Sequence, residues 1–118
     1  MTTRAASGDS TCWTLIRGAA AGRSKDRDQF VRIYAPIVRA YLGARWRQSP
    51  LATEVDDAAQ QAFVECFKVG GALERVDPER GPGFRAFLYG VVRNVARGFE
   101  RRRTAAREQQ PDSRVDLE

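Results

Sequence analysis

Histidine is absent from this chain of 118 residues, and no other feature of the composition excludes as much. Imidazole is the usual general base near neutral pH and the commonest metal ligand, so Ser-His catalysis, Cys-His catalysis and His-zinc sites are removed together. Cysteine is scarce as well. Cys12 and Cys66 are too few for an all-cysteine zinc site, and their spacing matches no metal or redox motif. Both read as small buried apolar side chains in a reducing compartment. A Gly-rich phosphate loop is also missing, because Gly81-Pro82-Gly83 lacks the Lys-Ser/Thr and strand context that such loops need. With no base-nucleophile pair, the composition points away from an enzyme, and no cofactor or metal is expected. Long apolar runs are lacking too: mean hydropathy is −0.50, and Arg4, Asp9 and Arg17 interrupt the N-terminal stretch. A membrane span needs about 20 consecutive apolar residues, so neither a span nor a secretory signal is expected, and the reading is cytoplasmic.

Lysine is limited to Lys25 and Lys68, so the net charge of +5 is carried by arginine. The arginines are unevenly placed. From position 85 to 107 stand Arg85, Arg93, Arg97, Arg101, Arg102, Arg103 and Arg107 against one acid, Glu100, while Glu54, Asp56 and Asp57 cluster upstream. A planar guanidinium suits phosphate, so this end of the chain points to a polyanion.

The length fits one domain. Residues 1–9 are small and polar and read as a disordered N-terminus. Thr11 is placed to cap a short helix over Cys12–Ala21 that ends at Gly22. A longer helix from Ser24 or Asp26 to about Arg47 carries Phe30, Tyr34, Ile37, Val38 and Tyr41 on one face. Pro36 lies inside it and lacks the N–H that would bond to Arg32, so a kink or break is expected. Ser49-Pro50 reads as a loop, and Thr53-x-x-Asp56 as a capping box opening a helix that Gly70-Gly71 stops after about Val69. In that helix Val55, Ala59, Ala62, Phe63 and Cys66 share one face. Asp57, Gln60, Gln61, Val64 and Lys68 share the opposite one, a polar and nearly neutral stripe of the kind that binds protein. Residues 72–83 read as a loop. The last helix begins near Phe84, with Phe84, Phe87, Leu88, Val91, Val95 and Phe99 inward and fraying from Thr104. One flank of it carries Gly90, Asn94, Arg97 and Arg101; Arg85, Tyr89 and Arg93 lie on the far side. Guanidiniums for phosphate, an amide for a base edge and an aromatic ring for stacking form a nucleic-acid-binding set. Residues 108–118 read as a linker or tail.

The predicted fold is therefore all-α: a compact bundle of three long helices plus a short N-terminal one, spanning 10–107. Its expected core includes Trp13, Phe30, Tyr34, Val38, Phe63, Cys66, Phe84, Leu88, Val91 and Val95.

Two segments resemble a known family. Asp57-Ala-Ala-Gln-Gln-Ala-Phe63 is similar to the D-x-x-Q-E-x-F helix of bacterial sigma factors of the extracytoplasmic-function type. Phe84-Arg-Ala-Phe87-Leu88-Tyr-Gly-Val-Val-Arg-Asn94 resembles their F-x-x-W-L-x-x-I-A-x-N helix, and Phe30-x-x-x-Tyr34-x-Pro36-x-Val38 lies upstream in the family's order. The resemblance is to region 2. It implies a transcription initiation factor whose Asp57, Gln60, Gln61, Val64 and Lys68 dock on the β′ clamp coiled coil of core RNA polymerase. It further implies that the promoter minus-ten non-template strand is read by the loop residues Val76, Asp77, Arg80 and Gly83 with Arg85, Tyr89, Arg93, Asn94, Arg97 and Arg101, an unstacked base being captured to help melting. An anti-sigma factor is a further partner that the resemblance admits. Gln61 departs from the family's acid, Phe87 from its Trp, and the expected second helix-turn-helix domain would follow the tail. On the residues alone two other readings stay open: a small helical protein–protein adaptor, and a sequence-independent single-strand nucleic-acid binder.

Overall fold

The computed structural model describes residues 12–77 and 83–109. Among them the chain forms α1 (Trp13–Ala20), α2 (Ser24–Arg45), a 3₁₀ turn (Pro50–Glu54), α3 (Val55–Phe67), α4 (Ala72–Arg75) and α5 (Phe84–Glu108), with no strand. The all-α bundle expected from periodicity is the architecture observed, with α2, α3 and α5 as its three long helices.

Aromatic residues one helical face apart build the interior. Phe30 lies at the centre, its ring centroid 4.8 Å from Tyr34, 5.9 Å from Phe63, 5.5 Å from Phe67 and 5.8 Å from Phe84. Trp13 of α1 meets the same Phe84 edge-on at 5.8 Å. Edge-to-face pairs add about 0.5–1.5 kcal/mol each beyond the area they bury, so this cluster ties α1, α2, α3 and α5 into one core. The buried row of α2 is Phe30, Tyr34, Val38 and Leu42, a strict four-residue repeat, and Trp46 just beyond the helix is 2% exposed. Ile37 and Tyr41, expected on the same apolar face as Phe30 and Tyr34, lie half-buried at the rim of the core. A similar rotation applies in α5, where Val92 and Ala96 are fully buried and Val91 is only partly covered.

Pro36 neither breaks nor ends α2, which runs through it from Ser24 to Arg45. Pro36 and Arg32 both lie on the exposed side, where water can satisfy the carbonyl left without its N–H. The capping box does not form. Ser49 instead caps the 3₁₀ turn, its Oγ accepting from Leu51 N at 3.0 Å, and Thr53 Oγ1 donates to the Pro50 carbonyl at 3.2 Å. Proline at the first position of that turn favours the earlier start. Cys12 is exposed rather than buried, because it precedes α1, outside the helix face that packs on the core. Cys66 is buried as expected, and burial, with the Glu65 charge adding to it, pushes its thiol up to about 12. The proposed Thr11 cap lies outside the described residues, as do residues 1–9 and 110–118.

Helix ends are set by specific contacts. Gly22 (φ +92°) ends α1 in a Schellman turn, with Arg23 N–H donating to the Gly18 carbonyl at 3.0 Å and Gly22 N–H to Ala19 at 3.1 Å. The third helix stops at Phe67, two residues earlier than expected, and the segment expected to be loop opens instead with the single turn of α4, burying Ala72 and Leu73. Gly71 makes that fold-back possible. A Cβ there would lie 2.5 Å from the Glu65 carbonyl oxygen and 2.7 Å from that of Lys68, both backbone atoms. Gly71→Ala is therefore expected to destabilise the protein by about 2 kcal/mol, read in urea denaturation. A midpoint equal to wild type would show that α4 can shift without loss. At the other end, α5 runs on through Thr104 to Glu108 instead of fraying, since Ala105 and Ala106 are strong helix formers and Gln109 N–H closes on Ala105 and Ala106.

Candidate nucleic-acid and polymerase interface

All five residues of the stripe on α3 are exposed: Asp57, Gln60, Gln61, Val64 and Lys68. Asp56 and Asp57 stand in the first turn, where carboxylates complement the positive end of the helix dipole. Asp56 pairs with Arg39 of α2 at 3.1 Å in a solvent-exposed bridge, while Asp57 and Gln60 make no side-chain bond among the described residues. Val64 is 47% exposed, an apolar spot at the centre of a polar stripe. Gln61 and Lys68 both turn to Glu65: Gln61 Nε2 donates to it at 3.2 Å and Lys68 Nζ lies 2.9 Å away. The Lys68 ammonium, followed by the Gln61 amide, holds the Glu65 carboxyl below its ordinary range.

Gln61 and Glu65 also line a cleft of about 480 Å³ between α3, α4 and α5, which they share with Arg75 of α4 and with Asn94 and Arg102 of α5. Arg75 is braced by its hydrogen bond to the Gly70 carbonyl at 2.7 Å, and Arg102 stacks on the Phe99 ring at 4.7 Å. The cleft thus offers two amides, two guanidiniums and a carboxylate over an apolar floor, a set able to grip the edge of an unpaired base. Glu65, Arg75 and Arg102 were not singled out from the sequence. For Glu65 the signal was present, at i+4 from Gln61 and i−3 from Lys68; Arg75 lay hidden in a segment read as loop.

Along the outer side of α5, Arg93, Arg97 and Arg101 form an exposed ridge and make no ion pair among the described residues. Asn94 faces the cleft on one side of that ridge. Tyr89 lies on the other, against Tyr41 of α2, in keeping with the opposite flanks expected for the two residues. Arg85 is exposed near the start of the helix. Gly83 immediately precedes α5 with φ +115°, a left-handed value that a side chain would strain, and Asp77 is exposed. Val76 packs in part against the core. Arg80 lies outside the described residues.

Glu100, the one acid among the arginines between positions 85 and 107, is turned towards the end of α2. It accepts two hydrogen bonds from Arg45, at 2.7 Å from Nε and 3.0 Å from Nη2, and one from Trp46 Nε1 at 2.8 Å. The Arg45 guanidinium, with help from the indole, keeps the Glu100 carboxyl below its ordinary range, and Glu100 and Tyr41 in turn raise Arg45. The negative charge is therefore consumed in fastening α5 to the end of α2.

Among the described residues no helix is long and apolar enough to cross a membrane, and no cluster of three or more carboxylate or cysteine groups is placed to hold a metal. Neither a curated protein nor a solved structure matches the chain. The Sigma-70 region 2 family does match, over residues 30–106, from the central Phe30 to the last turn of α5. That span contains the α3 stripe, the cleft and the arginine ridge. The chain belongs to the Sigma-70 region 2 family, whose members bind RNA polymerase and recognise the promoter minus-ten element.

Proposed function

We propose that the chain is the region 2 module of an extracytoplasmic-function sigma factor, working beside the polymerase in the cytoplasm. Its α3 stripe (Asp57, Gln60, Gln61, Val64 and Lys68) docks on the β′ clamp coiled coil. Its α5 ridge takes the non-template strand of the minus-ten element, with Arg93, Arg97 and Arg101 on phosphates and Asn94 at a base edge. An unstacked base of that strand enters between the Asn94 cleft and the segment from Val76 to Gly83, and its capture offsets part of the few kcal/mol that unpairing costs. The observation that carries this reading is the placement of a nearly neutral stripe and an unpaired cationic ridge on two helices packed through one core. Protein docking and strand binding can then proceed together, on surfaces held at a fixed angle. An anti-sigma factor that covered the α3 stripe would compete with the polymerase for it.

Binding of the purified chain to core RNA polymerase tests the reading. Asp57→Arg with Gln60→Ala is expected to weaken that binding at least about tenfold with the helical content unchanged. Asn94→Ala is expected to spare it and to reduce open-complex formation instead. Identical behaviour of the two variants would break the two-surface assignment, and a folded chain that ignores the polymerase would leave an adaptor or a general strand binder.

A further inference from the structure

Across the arginine ridge from the Asn94 cleft is a second concavity of different character. On α2, Ile33, Ile37 and Tyr41 succeed one another at four-residue intervals, and Ile33 remains 43% exposed. Tyr41 closes against Tyr89 of α5, the ring centroids 5.7 Å apart and the planes inclined at 39°. With Ile37 and Ala40 these two rings line an open groove of about 460 Å³ that no carboxylate lines among the described residues. Arg45 Nη1 donates to the Tyr41 hydroxyl at 3.0 Å, and Arg45 is itself gripped by Glu100, so the Tyr41 ring is held in place. Arg85 and Arg93 stand one turn to either side of Tyr89, both exposed and without an ion pair among the described residues.

We propose that this Tyr41–Tyr89 groove is a stacking slot for a nucleobase, taken up without regard to its identity. The proposal rests on the reading that α5 carries a single strand. Aromatic faces flanked by unmatched cations are the combination that holds an unpaired strand, the base on the ring and the adjoining phosphates on the guanidiniums. Apart from the phenol hydroxyls the lining has nothing with which to read a base edge, and the groove is open, so the edge stays in water and every base fits alike. Five residues separate Tyr89 from Asn94, which is about 140° around α5 and roughly 15 Å over its surface, with Arg93 and Arg97 between them. A strand crossing the ridge would place one base in the Asn94 cleft, where groups for recognition converge, and another in the tyrosine slot, where only stacking is available. The unmatched positive charge at the rim favours a nucleic acid over an apolar protein surface as the occupant.

The test is fluorescence anisotropy of labelled oligothymidylate, oligoadenylate and a base-free phosphodiester strand of equal length, titrated with the chain at low salt. Tyr89→Leu and Tyr41→Leu keep the groove apolar while removing an aromatic face. Each is expected to weaken both base-bearing strands about tenfold and to a similar extent, with circular dichroism unchanged. On the base-free strand wild type and variants should bind equally. Unchanged affinity in both leucine variants would overturn the slot, as would undetectable binding by wild type or an effect confined to one base. If Asn94→Ala alone weakened binding to a mixed-sequence strand, minus-ten reading would stand without the slot. If the tyrosine variants alone did so, the slot would stand and the reading at Asn94 would fall.

Discussion

Replacing Arg27 with alanine is expected to destabilise the fold by about 3 kcal/mol, a large share of what a domain of this size possesses. From the first turn of α2, the Arg27 guanidinium reaches two other helices. Its Nε donates to the Ala19 carbonyl at the end of α1 at 2.7 Å, and its Nη2 to the Phe67 carbonyl at the end of α3 at 2.9 Å. The same group lies 4.7 Å from the centre of the Phe67 ring. Terminal carbonyls of a helix lack the usual i+4 partner and carry the negative end of its dipole, so a cation there adds a hydrogen bond and a charge together, at Ala19 beside the bond from Gly22 N–H. Two charge-assisted bonds at about 1.5 kcal/mol each, with a cation–π contact added, account for the size of the effect. Arg27→Lys should recover less than half of it, because a single ammonium cannot span two carbonyls on different helices. The loss should concentrate in α1, and hydrogen exchange would show it as early release of the α1 amides. A variant that denatured within a few tenths of a kcal/mol of wild type would show that the aromatic contact of Trp13 with Phe84 suffices to hold α1.

Glu100→Ala is expected to have an effect of similar size, about 2–3 kcal/mol, through a different route. It removes three hydrogen bonds at once and strands the indole N–H of Trp46, which is 2% exposed, without a partner. A buried donor left unsatisfied costs about 1–3 kcal/mol. The ion pair itself adds less, since both side chains are about a third exposed and solvent screens them. Glu100 also gives the protein an acid-sensitive component. Because its folded carboxyl lies below the unfolded value, the unfolded chain takes up the proton first as pH drops. The stabilisation is complete above the ordinary carboxylate range and is lost as pH falls through the lowered folded value. Glu65 contributes with the same sign. Urea denaturation across the acid range should therefore show a shallower pH dependence for Glu100→Gln than for wild type. Equal slopes would assign the acid sensitivity to other groups.

The residues that made the fold readable were those with simple periodicity. Phe30, Tyr34 and Val38, and Phe84, Leu88 and Val95, announce their helices because apolar side chains recur once per turn and only one face can be buried. The α3 stripe was readable for the complementary reason, and all five of its members are exposed. Other features were hidden because they depend on partners distant in sequence. Nothing local to Arg27 says that it will span Ala19 and Phe67, and Glu100 looked like a lone acid among arginines until the end of α2 was placed beside it. The rim position of Ile37 and Tyr41, and the replacement of Val91 by Val92 in the core, follow from how α2 and α5 approach each other, which a wheel drawn for one helix does not contain. The turn of α4 escaped notice because its four residues are too few to show a period, and Gly71 matters there through the backbone atoms it must pass.

The inward use of Glu100 has a thermodynamic corollary. Arg93, Arg97 and Arg101 make no ion pair among the described residues, so no bridge of theirs must first be broken when a strand arrives. The exchange takes place among mobile ions: cations condensed along the nucleic acid return to bulk solution, and their gain in entropy drives much of the association. Affinity for a strand is then set as much by the salt outside the protein as by the contacts on it.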